Sequence, residues 1–165
     1  MPLSEQDRER IESFRAYIQD TVATDDRYGP AERKDSSDQS MLSTRFMEGR
    51  SSWFEVAVRP AKREVRVGFF TTDAAINEDC EQVIAESGVS PERFVGEAFA
   101  EIGMDWSDPP VEHGVDVGAS FYATALMLDE FVDLDGDDLR DRTLLMLEGY
   151  LLAFGPALGA EESDG

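Results

Sequence analysis

W-F-E-V-A-V-R-P-A-K-R-E-V-R-V-G-F-F, residues 53–70, is the stretch that decides the fold of this chain. Apolar residues alternate with polar or small ones on both sides of a turn that contains Pro60. This pattern indicates an antiparallel β-hairpin that packs one face on the core. The residues predicted for that face are Phe54, Val56, Val58, Val65, Val67 and Phe69. The residues predicted for the solvated face and the turn are Arg59, Lys62, Arg63, Glu64 and Arg66.

Three segments before residue 103 have the apolar spacing of amphipathic helices. Their predicted ranges are 4–22, 74–87 and 91–102. Ser4, Asp73 and Ser90 stand at the starts of these ranges, where a side-chain oxygen can accept a hydrogen bond from a free backbone N–H. The second helix is predicted to turn four side chains inward: Ile76, Cys80, Val83 and Ile84.

A fourth helical segment, residues 139–154, is apolar around most of its circumference. Leu144, Leu145 and Leu152 lie outside its main apolar stripe. A helix of this kind must be buried on most sides or lie in a subunit interface, and it therefore favours a homodimer. The pair Gly155-Pro156 is predicted to end it.

The remaining segments complete an antiparallel sheet. Residues 24–40 are polar and contain Gly29-Pro30, which predicts a mobile loop. Residues 41–48 predict a short strand that joins the hairpin in a three-stranded meander. Residues 111–117 predict a half-buried strand through Val111, Val115 and Val117. Residues 120–128 alternate like a strand, but A-T-A-L-M-L within them also suits a helix over residues 119–132, and both interpretations stay open.

The predicted fold class is α+β, with an antiparallel sheet built on the meander, helices packed on one face and a long apolar C-terminal helix. Residues 1–160 are expected to form a single domain with the mobile loop at about 24–40. Residues 161–165 are expected to form an acidic tail.

The chain carries 36 acidic and 15 basic residues, for a net charge of −21. Such a charge disfavours nucleic acid and anionic membranes as partners, because both repel it. Two origins stay open: a high-salt host that selects a hydrated surface, or a surface selected to bind basic partners. The longest apolar runs are too short to span a membrane. The N-terminus lacks the apolar region of a signal peptide, so a cytoplasmic location is expected.

The sequence offers few groups for catalysis or metal binding. Cys80 is the single cysteine and His113 the single histidine, which excludes cysteine cages and two-histidine sites. Asp133 opens an acidic stretch that resembles a calcium loop, but Asp138 and Leu144 stand where that loop needs Gly and Glu. We therefore expect no enzyme activity, no cofactor and no metal.

One concentrated basic patch is present in the hairpin. It is predicted either as a solvated face or as a docking spot for an acidic segment. Its members are Arg59, Lys62, Arg63 and Arg66.

The meander W-F-E-V-A-V…E-V-R-V-G-F-F and the closing A-L-M-L-D-E-F-V-D-L-D-G-D-D-L with its terminal helix carry a resemblance. In this order of elements the chain resembles the type III secretion chaperone-like fold of the Tir-chaperone and YbjN-like proteins. The resemblance covers about residues 41–158. It implies a dimer that binds an extended segment of a client protein without a cofactor or catalysis.

The leading hypothesis is a non-enzymatic, chaperone-like module that binds a protein or peptide partner. The alternative is a small α+β domain that binds a metabolite or nucleotide in a pocket between sheet and helices. The candidate partner-binding residues are the large apolar side chains of the sheet and the last helix: Trp53, Phe54, Phe69, Phe70, Tyr122, Leu147, Tyr150, Leu151 and Phe154.

Overall fold

A six-stranded antiparallel sheet forms the centre of the protein. The computed structural model describes residues 3–116 and 118–163, with side chains described up to Leu158. The strands are β1 (Ala31–Asp35), β2 (Leu42–Met47), β3 (Ser52–Arg59), β4 (Glu64–Thr71), β5 (Glu112–Asp116) and β6 (Ala119–Met127). Their spatial order is β1-β2-β3-β4-β6-β5. The sheet is therefore a four-stranded meander to which a later hairpin adds two strands.

Helices pack on one face of this sheet. They are α1 (Glu5–Val22), α2 (Ala74–Ser87), α3 (Pro91–Glu101) and α4 (Asp137–Ser163), with short 3-10 turns at Pro60–Lys62 and Phe131–Asp135. All four helices contribute side chains to one continuous core with the covered face of the sheet. The α+β class predicted from the sequence is confirmed. Within the described ranges, no helix combines the length and the apolarity needed to cross a membrane.

The central hairpin has the predicted core face. Phe54 lies opposite Phe69, and Val56 lies opposite Val67. These side chains are at most 4% exposed, because α4 covers them. The apolar alternation therefore places this face on the core, as expected.

The predicted helix starts are also confirmed. Ser4 Oγ accepts from the Asp7 N–H at 3.0 Å, and Asp73 Oδ1 accepts from the Ala75 N–H at 2.9 Å. Ser90 Oγ accepts from the Arg93 N–H at 3.2 Å. Each contact satisfies a backbone donor that has no partner inside its helix.

The prediction of a loop over residues 24–40 is wrong for Ala31–Asp35, which form the edge strand β1. All five residues of β1 are exposed. Its sequence, A-E-R-K-D, therefore needs no apolar alternation, and the strand gives no signal in the sequence. Arg15 of α1 anchors this strand through two bonds to the Asp35 carboxylate, at 2.7 and 3.0 Å.

Residues 119–127 form strand β6 rather than a helix. Strand β6 lies between β4 and β5, and pairing on both edges outweighs the helix propensity of A-T-A-L-M-L. In β5, Val115 is 73% exposed rather than half-buried, because the strand lies at the outer edge of the sheet. Val111 precedes β5, and Val117 lies outside the described residues.

Helix α4 differs from its predicted form in two respects. It continues through Pro156 to Ser163 instead of ending at Gly155-Pro156. A proline in a helix clashes with the Cβ of the residue before it. Gly155 has no Cβ, so the helix can continue through Pro156. The prediction of burial on most sides is not confirmed, because Leu152 is 41% exposed.

Candidate binding groove

The nine candidate partner-binding residues do not form one surface. Six of them are at most 2% exposed and belong to the closed core: Phe54, Phe69, Tyr122, Leu147, Tyr150 and Phe154. Trp53 and Phe70 lie on the opposite face of the sheet, in a smaller cluster. Leu151 is half-buried on α4. A partner that contacts the folded protein therefore needs a different set of side chains.

Helices α2, α3 and α4 enclose an apolar groove with a cavity volume of about 280 Å³. From α2 it is lined by Cys80 and Val83, and from α3 by Phe94, Glu97, Ala98 and Glu101. From α4 it is lined by Leu152, Ala153, Phe154, Pro156 and Ala157. Every one of these residues belongs to a helix, so the groove is built from side-chain faces alone.

The spacing of the lining residues explains why one groove forms. On α3 the lining positions are 94, 97, 98 and 101, which form one stripe of an α-helix. On α4 the positions 152, 153, 156 and 157 form a second stripe with the same period. Small side chains at Ala98, Ala153 and Ala157 leave the space between the two stripes open.

The floor of the groove is rigid. Phe154 is 2% exposed, and its ring lies 4.9 Å from that of Tyr122 and 5.5 Å from that of Phe69 between centroids. Phe94 packs on Phe154 at 5.9 Å from the helix side. Aromatic pairs at these distances add to the stabilisation by burial. The groove therefore rests on the same aromatic cluster that holds α4 on the sheet.

The walls of the groove, in contrast, are accessible. Val83 is 44% exposed and Leu152 is 41% exposed, which places both among the exposed large apolar residues of the described chain. Val83 was predicted to face inward, and that prediction is wrong because α2 turns this side chain toward the groove mouth. Two exposed apolar side chains around one cavity are typical of an interaction site.

Cys80 lines the groove as an apolar group and not as a nucleophile. It is free and buried. Burial, together with the carboxylates of Asp79 and Glu81, raises the pKa of its thiol to about 12. The thiol is therefore protonated at neutral pH, and the reactive thiolate is scarce.

The groove has an acidic rim. Glu97 and Glu101 stand on its α3 side, and both are exposed. None of the lining residues named above is basic. The nearest base in sequence is Arg93, whose Nε lies 3.9 Å from Glu97 Oε1, with both side chains more than 60% exposed. An exposed pair of this kind contributes little to stability.

The rim belongs to a wider asymmetry of charge. Residues 1–66 carry twelve bases and thirteen acids, for a net charge of −1. Residues 67–165 carry three bases and 23 acids, for a net charge of −20. Between Arg66 and Arg140 the chain has eighteen acids and a single Arg, at position 93. Nearly all of the net charge therefore lies in the part of the chain that builds the groove.

The second face of the sheet is closed by its own side chains. The rings of Trp53, Phe70 and Phe121 stack across β3, β4 and β6, with centroids 5.7 and 5.2 Å apart. The Arg66 guanidinium lies over Phe70 and Phe121, at 5.5 and 5.3 Å from the ring centroids. Arg45 lies over Trp53 at 4.4 Å. These cation–π contacts leave Trp53 6% and Phe70 3% exposed.

The prediction that this face is solvated is wrong for Glu64 and Arg66, which are at most 6% exposed. Glu55 is buried beside Arg66, with 3.6 Å between Glu55 Oε2 and an Arg66 guanidinium nitrogen. Burial raises the pKa of Glu55, although Arg66 and Arg45 act in the opposite direction. Removal from water thus outweighs the ion pairs at this carboxylate.

The predicted basic patch is divided by acids. Arg59 pairs with Glu64, and Arg66 lies 3.6 Å from a Glu112 oxygen as well as beside Glu55. Lys62 and Arg63 stay exposed in the turn. A concentrated docking spot for an acidic segment is therefore not formed.

A second groove, with a cavity volume of about 1130 Å³, lies between α1, the β1–β2 turn and the 3-10 turn at Pro60–Lys62. Two of its four arginines pair with acids of the same wall: Arg15 with Asp35, and Arg33 with Glu12 at 2.8 Å. The Glu12 pKa is lowered mainly by its hydrogen bond from Arg33. Four arginines and four acids line this groove, so their formal charges cancel.

His113 and Asp133, the candidates for catalysis or metal binding, have local structural roles. His113 Nδ1 lies 2.9 Å from the Phe121 carbonyl, and its ring stacks on Tyr122 at 4.1 Å. Asp133 Oδ2 accepts from the N–H groups of Asp129 and Glu130, both at 3.1 Å, so this acid closes a turn. Among the side chains that the structure describes, no three His, Cys, Asp or Glu residues converge as a metal site.

Comparison of this chain with protein-family models, with curated proteins and with solved structures gave no match in any of the three. The resemblance to the type III secretion chaperone-like fold therefore stays a prediction.

Two signals in the sequence point to the groove. Leu152 lies outside the main apolar stripe of α4. The absence of bases between Arg66 and Arg93 marks α2 as an acidic helix. What the sequence does not show is that α2, α3 and α4 meet, because that depends on tertiary packing.

Proposed function

We propose that this protein is a non-enzymatic, chaperone-like binding protein that holds a polypeptide segment of a partner. The segment lies in the groove between α2, α3 and α4. The observation that carries the proposal is the pair of exposed apolar walls, Val83 and Leu152, above the rigid floor at Phe154. Apolar side chains that the fold leaves exposed around a preformed cavity gain free energy when a partner covers them.

The size of the cavity supports a side-chain ligand. A volume of about 280 Å³ is at the lower limit of pockets that enclose small molecules. It suits one or two large apolar side chains of a longer segment. The alternative ligand, a nucleotide or another phosphorylated metabolite, would need cationic groups at the groove. The lining residues supply two carboxylates instead, Glu97 and Glu101.

We also propose a cytoplasmic location, since the free and buried Cys80 suits a reducing compartment. The homodimer stays a prediction. If it forms, it uses a surface other than this groove, because two copies would meet acid to acid there. Light scattering in high salt measures the mass directly, and a monomer would contradict the dimer.

The proposal is tested by replacing both exposed walls with a neutral polar residue, in the double variant Val83→Ser/Leu152→Ser. The probe is a fluorescein-labelled peptide of fifteen residues with a leucine stripe at helical spacing and glutamine elsewhere, followed by fluorescence anisotropy. We expect binding to the parent protein and a loss of about tenfold or more in the variant, because less apolar surface is buried.

The matched control is Val115→Ser/Met127→Ser, which removes two exposed apolar residues that do not line the groove. It should bind the peptide as the parent protein does. Circular dichroism checks that both variants are folded, which exposed positions favour. No binding by the parent protein, or equal losses in both variants, would overturn the proposal.

A further inference from the structure

We infer that the segment held in the groove is a basic amphipathic α-helix. The inference rests on the proposed function, since it names the chemistry of the occupant of that same groove. It follows from two independent features: the groove is lined by helices alone, and none of its lining residues is basic.

The helical lining selects the backbone form of the occupant. An extended segment that enters an apolar groove needs partners for its backbone N–H and C=O groups, as a free strand edge would supply. The lining residues of α2, α3 and α4 present side chains, and hydrogen bonds within the helices use most of their backbone groups. A helix satisfies its own backbone groups and brings only an apolar stripe into the groove.

The charge around the groove selects the polar side of the occupant. Helix α2 has no base, and on α3 Arg93 is the single base. Glu97 and Glu101 are four residues apart, so they are neighbours along one edge of the groove. Lysine or arginine at the same spacing on the occupant can pair with both. An acidic occupant would be repelled by the net charge of −20 carried by residues 67–165.

Pro156 adds a fixed acceptor at the same place. A proline has no N–H, so Pro156 cannot donate to the carbonyl of Leu152 as an ordinary helical residue would. Both residues line the groove. The Leu152 carbonyl oxygen therefore lacks its usual donor in the helix and can accept from a cationic side chain of the occupant.

The test uses three fifteen-residue peptides with the same leucine stripe and a polar face of lysine, glutamine or glutamate. Each is titrated into the full-length protein at low and high salt, and the helicity of the bound peptide is followed by circular dichroism. We expect the lysine peptide to bind about tenfold more tightly than the glutamine peptide at low salt. The glutamate peptide should bind most weakly, and the lysine peptide should become helical on binding.

Two variants show whether the rim is responsible. Glu97→Gln/Glu101→Gln should weaken the lysine peptide about fivefold, the effect of two partly exposed ion pairs, and leave the glutamine peptide unchanged. The control Glu5→Gln/Glu9→Gln removes two exposed acids from α1 and should change neither. Val83→Ser/Leu152→Ser should weaken both peptides.

The outcomes separate the two levels of the proposal. If no peptide binds, the proposed function fails. If all three peptides bind equally and depend on Val83 and Leu152, the proposed function stands and a basic occupant is excluded. If the lysine peptide binds equally to every variant, or binds without becoming helical, the attraction is a general effect of the acidic surface and the inference is overturned.

Discussion

The hydroxyl of Thr124 on β6 lies 2.7 Å from the hydroxyl of Tyr150 on α4, and both side chains are completely buried. Burial raises the pKa of Tyr150, although the Thr124 hydrogen bond acts in the opposite direction. Both hydroxyls therefore stay neutral. The hydrogen bond between these two buried groups joins the sheet to the longest helix.

This pair predicts non-additive mutations. Tyr150→Phe leaves the Thr124 hydroxyl buried without its partner, and Thr124→Val does the same to Tyr150. Each should lower the free energy of unfolding by about 1–3 kcal/mol. The double variant removes both polar groups, so it should cost less than the sum of the single variants. Urea denaturation of the four proteins measures the cycle, and strictly additive losses would contradict the hydrogen bond.

The same substitution should have opposite effects at two glycines, Gly149 in α4 and Gly114 in β5. A Cβ at Gly149 would overlap the ring of Phe99, which is completely buried and cannot move aside. Gly149→Ala should therefore destabilise the protein by about 1–3 kcal/mol through overpacking. At Gly114 of β5 a Cβ would meet the ring of Phe121 at 3.7 Å, an ordinary contact.

Gly114→Ala serves as the matched control and should stabilise the protein by about 0.5–1 kcal/mol, because alanine loses less entropy than glycine in a strand. Thermal unfolding of both variants checks the two signs. Equal effects at both sites would show that Phe99 does not close against α4.

Removing the buried acid Glu55 should lower the free energy of unfolding more than removing the exposed acid Glu32 of the same sheet. Glu55→Ala leaves Arg66, which is 4% exposed, beside only the half-exposed Glu112. This should cost about 3 kcal/mol, since a buried charge loses its main partner. Glu32→Ala breaks an exposed pair with Lys34, at 3.1 Å, and should cost less than about 1 kcal/mol. Urea midpoints that shift equally would argue that water reaches Arg66.

Cys80 predicts a dependence of stability on alkaline pH. Its thiol has a pKa of about 12 in the fold, above the usual value near 9. Between these values the unfolded chain binds fewer protons than the folded one, so the free energy of unfolding falls as pH rises through this window. Cys80→Ser has no group that titrates there. The difference in stability between parent and variant, constant below pH 9, should shrink above it.

Urea midpoints at intervals from pH 7 to 11 measure that difference, and other titrating groups cancel in the comparison. Parallel curves for the two proteins would mean that the Cys80 thiol is not desolvated. A thiol reagent gives a second measurement: it should label the native protein slowly at pH 8 and the urea-unfolded protein at once.

The sequence predicts elements that local physics determines. The core face of the hairpin follows from the alternation of Val56 and Val58, and the helix starts follow from Ser4, Asp73 and Ser90. Each of these signals acts over a few residues, through the direction of side chains on a strand or one capping hydrogen bond. The α+β class follows in turn, because the apolar faces of these elements must cover one another.

The sequence does not predict features that depend on neighbours distant in the chain. Arg66 reads as a solvated charge, but it is buried because β6 brings Phe121 beside Phe70. Strand β1 has no apolar residue beyond Ala31, and it forms because β2 offers it a free edge. The sequence does not predict the groove for the same reason, since Val83 on α2 and Leu152 on α4 line it together only in the folded protein.

The strand order has a consequence for synthesis of the chain. Strand β4 ends at Thr71, while β6, which covers its edge, begins only at Ala119. During synthesis on the ribosome, the edge of β4 that pairs with β6 is therefore uncovered until β6 has been made. This edge is mostly apolar, and residues 1–66, which contain most of the meander, have a net charge close to zero. The residues made in that interval supply the acids that repel other nascent chains. The segment that completes the sheet, residues 67–165, thus also carries the negative charge that opposes aggregation.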